Sequence, residues 1–342
     1  MRRYCIFRTD RIGDLVLTLP MAEAIKRHDP EAHVTFCVQD YTRSLAELNP
    51  WIDDILSIPA RDLNGGDAAF SAELKHRGFD VAIFAYPRPR LSLAAARARI
   101  PVRVGIAYRW YSPLYTHRHR EHRKPSIHHE SEYNLHLLDI LGIAYGEGLL
   151  PQLLFPPELQ KRADARLTAS GLPIDAAMAV LHPGSGGSAK DWAPGAFAEL
   201  ARELTTRYPA LHVLVTGTEM ERGLMEEVAH GGGDRVHLLA GEVPLDELAA
   251  LLSRAQLCVA NSTGPLHVAA AAGAPVIGLY PFQRVSHPRR WGPLGLKTTV
   301  LFPPPADGCE TCAAEACETH DVMTRIGVAD VMDAAVSILE EG

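Results

Sequence analysis

Short runs of β-branched and other apolar residues alternate with helical patterns along nearly the whole chain of 342 residues. This alternation constrains the fold more than any other feature, because a strand–helix–strand order produces parallel sheets covered by helices. The segment 195–207 illustrates the helical pattern, since it places apolar side chains on one helical face, at Phe197, Leu200, Ala201 and Leu204. The predicted fold class is therefore α/β.

The strand candidates fall into two series, which indicates two Rossmann-like domains. The first series comprises residues 4–8, 33–38, 55–58, 81–85 and 102–106, and the second comprises 179–182, 212–216, 236–239, 257–260 and 276–280. The length of the chain also favours two domains. The proline-rich stretch 151–157 is the expected joint. We therefore expect an N-terminal domain over residues 1–155 and a C-terminal domain over 156–342.

Composition and charge exclude several kinds of protein. The formal net charge of -7 argues against a general nucleic-acid-binding protein, which would carry a basic excess. Arg8 and Asp10 interrupt the first apolar run, so it does not fit a signal peptide, and no window approaches the length of a membrane-spanning helix. We expect a cytoplasmic protein. Cys5, Cys37 and Cys258 lie in apolar runs and are expected to be buried thiols.

Ligands of open parallel sheets bind outside the carboxyl ends of the strands, so the loops after strands are the candidate sites. The first such segment is Arg8–Asp14, which follows the first strand candidate. Gly13 would permit an unusual backbone and the close approach of an acceptor, with Arg11 beside it. Asp14 could take a proton from an attacking hydroxyl. Spacing by itself favours the alternative that Asp14 only complements a helix N-terminus.

Two further loops follow strands of the second series. The segment 181–192 is rich in glycine and serine, and Ser185, Gly186 and Lys190 together suit a phosphate cradle, although the segment matches neither common phosphate-binding motif. An ordinary glycine-rich turn is the alternative. A carboxylate of the segment 216–222, after the next strand, could bind ribose hydroxyls as an acidic residue does in dinucleotide folds, or it could simply begin a helix.

The fourth segment, 261–267, leaves an apolar strand and enters a helix of small residues. A proline at position 265 fits the first helical turn. The backbone N–H groups of Thr263 and Gly264 would then point at an anion, and His267 lies one turn into the helix. A structural role for His267 is the alternative.

Taken together, these segments resemble glycosyltransferase family 9, the heptosyltransferases. The motifs are Arg-Thr-Asp-Arg-Ile-Gly-Asp, His-Pro-Gly-Ser with the later Lys-Asp-Trp, and Ser-Thr-Gly-Pro-Leu-His-Val-Ala-Ala-Ala, with the intervening residues 239–248. The resemblance spans essentially the whole chain. It implies a GT-B fold, with two Rossmann-like domains whose parallel sheets face a central cleft. It also implies an inverting, metal-independent transfer of heptose from ADP-heptose to a lipopolysaccharide-core saccharide, with no cofactor needed for catalysis.

The resemblance also implies roles for individual residues. The N-terminal domain would bind the acceptor and the C-terminal domain the nucleotide sugar. The family's general base falls on Asp14, its phosphate-binding lysine on Lys190, its nucleotide-contacting glutamate on Glu221, and its anion site on Thr263, Gly264 and His267. One departure is that Ser262 stands where the family usually has aspartate. Two alternatives are a nucleotide-sugar epimerase on the same fold, which would need no acceptor, and a catalytically weakened nucleotide-binding partner protein, which Ser262 suggests.

The densest basic segment of the chain is the run 117–124. Because arginines suit carboxylates and phosphates, we expect Arg118, Arg120 and Arg123 to bind an anionic saccharide or lipid-linked acceptor. The same run could make peripheral contact with the inner face of an anionic inner membrane. Most charge runs are solvated loops, and that is the alternative.

A cluster of potential metal ligands lies near the C-terminus. Cys309, Cys312, Cys317 and His320 offer three thiolates and an imidazole, a tetrahedral set for a structural zinc or iron ion. The alternative is a loop with three reduced cysteines.

Overall fold

The structure is a computed structural model that describes residues 1–62, 68–187, 189–239, 243–281, 286–303 and 323–340. The chain divides into two compact units, an N-terminal unit over Met1–Leu154 and a C-terminal unit over Phe155–Gly342. Each unit contains a six-stranded sheet, and every strand pair in both sheets is parallel. The predicted α/β class is confirmed.

In the sheet of the N-terminal unit, the first strand of the chain lies in the interior. The strands of this sheet are β1 (Arg3–Phe7), β2 (His33–Gln39), β3 (Asp54–Ile58), β4 (Val81–Phe84), β5 (Val102–Ile106) and β6 (His117–His119). They lie in the order β3-β2-β1-β4-β5-β6. The strand order therefore reverses between β1 and β4, and such a reversal is where open parallel sheets bind ligands.

Helices connect these strands because a parallel pair needs a crossover. They are α1 (Ile12–Val16), α2 (Pro20–His28), α3 (Arg43–Ala46), α4 (Ala68–Arg77), α5 (Pro89–Arg97) and α6 (Glu130–Asp139). The central strands are mostly apolar because both faces of a parallel sheet are covered. Phe7 of β1, for example, stacks on Phe84 of β4 with ring centroids 4.5 Å apart.

The C-terminal unit repeats this plan. Its strands are β7 (Ala177–His182), β8 (Leu211–Thr216), β9 (Val236–Leu239), β10 (Leu257–Asn261), β11 (Val276–Leu279) and β12 (Thr298–Leu301). They lie in the order β12-β11-β10-β7-β8-β9, so this sheet reverses between β7 and β10. The segments 183–192 and 262–267 follow those two strands directly.

The helices of the C-terminal unit cover its sheet. They are α7 (Pro157–Ala169), α8 (Pro194–Arg207), α9 (Arg222–Gly232), α10 (Leu245–Leu252), α11 (Gly264–Ala271), α12 (Pro288–Trp291) and α13 (Val328–Glu340). The apolar stripe predicted for α8 is buried against the sheet, and each of its members, Phe197, Leu200, Ala201 and Leu204, is inaccessible to solvent.

Two strands were missed by the sequence pattern. β6 reads His-Arg-His and β12 begins with two threonines, so neither shows an apolar run. Both lie at an edge of their sheet, where one neighbouring strand supplies the backbone hydrogen bonds. The basic run 117–124 therefore begins with a strand and is not a loop throughout.

The cysteines that the structure describes are buried as predicted. Cys5, Cys37 and Cys258 are free thiols without solvent contact, and burial raises the pKa of Cys258 to about 12. Such thiols are unreactive. Cys309, Cys312, Cys317 and His320 lie outside the described residues. In the part of the chain that the structure covers, no helix is both long enough and apolar enough to span a membrane.

Candidate active site

A buried arginine organises the loop at the reversal point of the N-terminal sheet. Arg8 follows β1, and its side chain is only 2% exposed. Its guanidinium binds Asp10 with two hydrogen bonds, Nε to Oδ1 at 2.8 Å and Nη2 to Oδ2 at 2.9 Å. The same Nη2 donates to Asp14, and Nη1 donates to Glu130 at 3.2 Å. One guanidinium therefore holds three carboxylates in place.

A second arginine completes this network. Nη1 of Arg123 lies 2.6 Å from Glu130, and Nη2 donates to the Tyr133 carbonyl at 3.1 Å. Three carboxylates then face two guanidinium groups, which leaves one excess negative charge. Burial raises the pKa of Asp10 to about 7, with Arg8 opposing the shift and Asp14 adding to it. Arg123, predicted as an acceptor contact, is engaged in this internal network.

Neighbouring loops fix the backbone that leads to Asp14. Nε2 of Gln39 donates to the carbonyls of Thr9 and Asp10, at 2.9 and 2.8 Å. The Tyr41 hydroxyl donates to the Asp10 carbonyl at 2.8 Å. Arg88, from the loop after β4, donates to the Thr9 carbonyl and hydroxyl at 3.1 Å each. These bonds tie the backbone of the segment to the end of β2 and to the loops after β2 and β4.

The predicted residues of this segment lie together at the start of α1. Asp14 is in the first turn, and its side chain is 16% exposed, so it can reach a ligand and complement the helix N-terminus as well. Arg11 is the exposed N-cap residue. Gly13 is buried inside the helix and does not have a positive φ, so the expectation of an unusual backbone there was wrong.

In the C-terminal unit, Asn261 at the end of β10 fixes the glycine-rich segment 183–192. Its Oδ1 accepts from the backbone N–H of Trp192 at 2.9 Å, and its Nδ2 donates to the carbonyl of Pro183 at 2.6 Å. The buried Trp192 indole donates to the carbonyl of Ile326 at 2.8 Å. Both ends of the segment are thereby anchored to the core.

Glu221 joins the loops after β7 and β8. Its Oε1 accepts from the Gly186 N–H at 3.2 Å, and its Oε2 accepts from both the N–H and the hydroxyl of Thr218 at 2.8 Å. Burial raises the pKa of Glu221, but these bonds outweigh it and hold the pKa below its usual value. Gly184 leaves room for this arrangement, because a Cβ at that position would push the Glu221 carboxylate out of place.

The other predicted donor residues lie in the two segments that flank the reversal point. The buried Ser185 hydroxyl donates to the Ala189 carbonyl at 3.1 Å, and Lys190 is half-buried in the same segment. Thr263 is the N-cap of α11 with an extended backbone, so Gly264 is the first helical residue. His267 lies within this helix and is 4% exposed.

Ser262, the departure from the family motif, has a specific environment. Its backbone N–H donates to the carbonyl of Leu279 at 3.0 Å, and its side chain hydrogen-bonds the buried Tyr280. The Tyr280 hydroxyl in turn donates to the carbonyl of Trp291 at 2.6 Å. The half-buried Ser262 is therefore linked by hydrogen bonds to β11 and, through Tyr280, to α12.

The other two arginines predicted to bind the acceptor line a cavity of about 540 Å³ in the N-terminal unit. Arg118 and Arg120 form its walls together with Ala107 and Tyr108. The Tyr108 ring stacks on His122 with centroids 3.7 Å apart. Two guanidinium groups beside an aromatic ring suit an anionic saccharide.

Sequence reasoning missed the residues that position these groups. Arg8, Glu130 and Asn134 were given no role, although Asn134 accepts from Arg8 and donates to the carbonyl of Leu17. Asn261, the first residue of the segment 261–267, was also given no role. A polar residue at the end of an apolar strand is the signal that could have identified Arg8 and Asn261.

Two Rossmann-like units, each with a polar loop at the point where its strand order reverses, are the architecture of the GT-B fold class. Residues 68–322 match the model of glycosyltransferase family 9 (heptosyltransferase). This chain belongs to that family and is a glycosyltransferase. A candidate glycosyltransferase of Haemophilus influenzae is 31% identical over 314 residues, which cover 90% of each chain.

Solved structures support the fold. The glycosyl transferase family 9 protein of Veillonella parvula superposes with a TM-score of 0.87 at 22% identity, over 100% of this chain and 98% of that chain. The ADP-heptose lipopolysaccharide heptosyltransferase II of Escherichia coli gives a TM-score of 0.79 at 20% identity, over 100% and 99% of the two chains. The predicted GT-B fold is confirmed.

Proposed function

We propose that this glycosyltransferase moves a heptose, or a related sugar, from ADP-heptose to a saccharide of the lipopolysaccharide core. Membership of the heptosyltransferase family supports the reaction class. The name of the E. coli structural relative supports the donor and the pathway. The observation that carries the mechanism is the carboxylate of Asp14, which Arg8 holds at the reversal point of the N-terminal sheet.

In the proposed step, Asp14 accepts the proton of an acceptor hydroxyl while its oxygen attacks the anomeric carbon. The new glycosidic bond forms as the bond to the diphosphate breaks, and ADP leaves with that electron pair. Attack from the face opposite the leaving group inverts the anomeric configuration. Arg8 is a positioning residue, because its guanidinium binds Asp14 and orients the carboxylate before the proton arrives.

The C-terminal unit supplies the donor site in this proposal. Lys190, His267 and the backbone N–H groups of Thr263 and Gly264 stabilise the negative charge that develops on the diphosphate. Glu221 shapes the loop through Gly186 and contacts the nucleotide. With these groups in place, the reaction needs no metal ion or cofactor. Because Ser262 replaces an acid and bonds to Tyr280, we expect the sugar specificity to depend on this position.

The acceptor site belongs to the N-terminal unit. Arg11 and Gly13 lie beside Asp14, and Arg118 and Arg120 line the cavity that would bind the anionic groups of the core. The exposed arginines also suit peripheral contact with an anionic membrane surface, where a lipid-linked acceptor is found. We assign Arg123 to the internal network, where its bonds to Glu130 stabilise the site.

The test is acceptor-dependent release of ADP from a panel of nucleotide sugars that includes ADP-heptose, other ADP-sugars, UDP-glucose and GDP-mannose. A heptose-deficient lipopolysaccharide core is the acceptor, and EDTA is present. We expect release from an ADP-sugar only when acceptor is added, and NMR of the product should show an inverted anomeric centre. Retained configuration, or no acceptor-dependent transfer from any ADP-sugar, would contradict the proposal.

A further inference from the structure

Three side chains that play no part in the proposed transfer converge on one point of the N-terminal unit. His119 ends β6, Glu121 follows two residues later, and His136 lies in α6. Nε2 of His119 is 3.1 Å from Oε2 of Glu121, and Nδ1 of His136 is 2.9 Å from Oε1 of the same carboxylate. Within the described ranges, these residues bring one ligand atom each to within 4.8 Å of one another.

A third imidazole lies beside this cluster. Nε2 of His128 is 3.9 Å from Oε1 of Glu121, and its Nδ1 is 3.5 Å from Oε2 of Glu132. Metal-bound histidines commonly have a carboxylate on the second ring nitrogen, which fixes the tautomer and the ring orientation. Glu132 stands in that position relative to His128.

The spacing of these atoms fits a small divalent cation. Ligand atoms around a tetrahedral ion with 2.0–2.1 Å bonds lie about 3.3 Å apart. The two nitrogen–oxygen distances of 2.9 and 3.1 Å are close to that value, so small shifts of the side chains would make room for an ion between them. The side chains of His119, Glu121 and His136 are 19%, 20% and 25% exposed, which shields the point from bulk water and leaves a path for an ion.

The simpler reading is a carboxylate that orients its histidines by hydrogen bonds. That reading accounts for any one contact. It does not account for three imidazoles from a strand, a loop and a helix that all face a single carboxylate. A set of imidazole and carboxylate ligands suits zinc and neighbouring first-row transition metals.

We propose that His119, Glu121 and His136 bind a divalent first-row transition-metal ion, for which zinc is the reference, with His128 as an additional ligand. The ion would tie the edge strand β6 to α6. Arg118 and Arg120 alternate with His119 along the chain, and they line the cavity described above. Metal binding would therefore fix the segment that carries both arginines, and it would take no part in the transfer chemistry.

The test compares zinc binding by the full-length protein and its variants after all have been stripped with EDTA. Isothermal titration should show that one Zn²⁺ ion per chain binds at this site in the wild type. Glu121→Gln and His136→Asn should each lower the affinity for that ion at least tenfold. Glutamine at position 121 keeps hydrogen-bonding atoms and removes the charge. His212→Gln is the matched control, because His212 and His237 form a half-buried pair 2.9 Å apart without a carboxylate.

Cobalt and thermal melting give two further measurements. Co²⁺ at this site should show visible d–d bands that Glu121→Gln abolishes. Any sulfur-to-cobalt absorption from the cysteine segment should stay unchanged, since that segment is the same in every variant. Zn²⁺ should raise the melting temperature of the wild type and not that of His119→Asn. If all variants bind the same number of zinc ions with the same affinity as the wild type, the proposal is wrong, and the cluster is held only by hydrogen bonds.

Discussion

At the level of single residues, Arg8 connects the proposed base to the interior of the N-terminal unit. It touches Asp10, Asp14 and Glu130 with one guanidinium, and that group is almost completely buried. Removing a partner from such a network leaves an uncompensated buried charge. The network therefore gives Asp14 a fixed place. The three carboxylates can be tested separately by substitution.

We expect Asp14→Asn to lower turnover by about 10²-fold or more, because an amide cannot accept the proton of the acceptor hydroxyl. The affinity for ADP should stay nearly unchanged. Steady-state kinetics and ADP calorimetry measure the two effects. Asp40→Asn is the matched control, since Asp40 is an exposed acid in the turn after the neighbouring strand β2. Turnover close to that of the wild type would exclude Asp14 as the base.

Asp10 should give the reaction an acidic limb near pH 7. Protonation of Asp10 removes one of the anions that Arg8 binds, so the hydrogen bonds by which Arg8 holds Asp14 in place should rearrange. Activity should therefore rise as the pH increases through about 7, the pKa of Asp10. Asp10→Asn imitates the protonated form at every pH, so we expect reduced kcat/KM without this limb. If Asp10→Asn keeps the wild-type pH profile of kcat/KM, another group causes the acidic limb.

Lys190→Ala should weaken ADP binding by roughly 1.5–3 kcal/mol, the contribution of a hydrogen bond to a charged group. Calorimetry with ADP measures this change directly. Lys297→Ala serves as the control, because Lys297 is exposed and precedes β12, at the amino-terminal edge of the same sheet. Equal ADP affinity in both variants would place the phosphates away from the 183–192 segment.

At the level of secondary-structure elements, β6 separates two kinds of side chain. The alternation of a strand places its imidazoles and its arginines on opposite sides. His119 faces Glu121 and His136, and Arg118 lines the cavity beside Tyr108. The basic run therefore begins at an edge of the sheet, and its arginines lie in different surroundings: Arg118 and Arg120 line the cavity, whereas Arg123 bonds to Glu130.

The double variant Arg118→Gln, Arg120→Gln should raise the KM for the acceptor at least tenfold and leave donor affinity intact. The increase should be larger at low salt, where charges are screened less. Arg123→Gln should instead lower the free energy of unfolding by about 1–3 kcal/mol, because it leaves Glu130 with one cation fewer. Kinetics at two salt concentrations and urea denaturation measure these effects.

Arg97→Gln is the control for the acceptor kinetics, since this exposed arginine ends α5, at the amino-terminal edge of the sheet. Normal acceptor kinetics of the double variant at every ionic strength would leave the cavity without a role in the reaction.

At the level of the whole molecule, the two units have separate hydrophobic cores and separate polar loops. We expect ADP alone to slow amide hydrogen exchange in the C-terminal unit, at residues 183–192, 217–221 and 262–267, because a bound ligand suppresses local opening. Residues 8–14 should exchange as in the free protein. Exchange measured by mass spectrometry distinguishes the segments. Protection at 8–14 without protection of the other three would reverse the assignment of the units.

Hydrophobic patterning alone determined most of the architecture. Burial on both faces makes the central parallel strands read as apolar runs, so ten strands and the positions of their loops were predictable from the chain. The apolar stripe of α8 and the buried thiol of Cys258 follow from the same rule. Edge strands such as β6 and β12 are covered less, and their sequences carry no such signal.

Tertiary structure decided which polar groups meet. Arg8 bonds to Glu130 and Asn134 across 122 and 126 positions of sequence, and Asn261 reaches back 69 positions to Trp192. No local pattern encodes such pairs, because a buried charge selects its partner by proximity in the folded chain. The sequence alone thus identified Asp14 and the loop of Lys190 as candidates, and only folding showed what holds each of them in place.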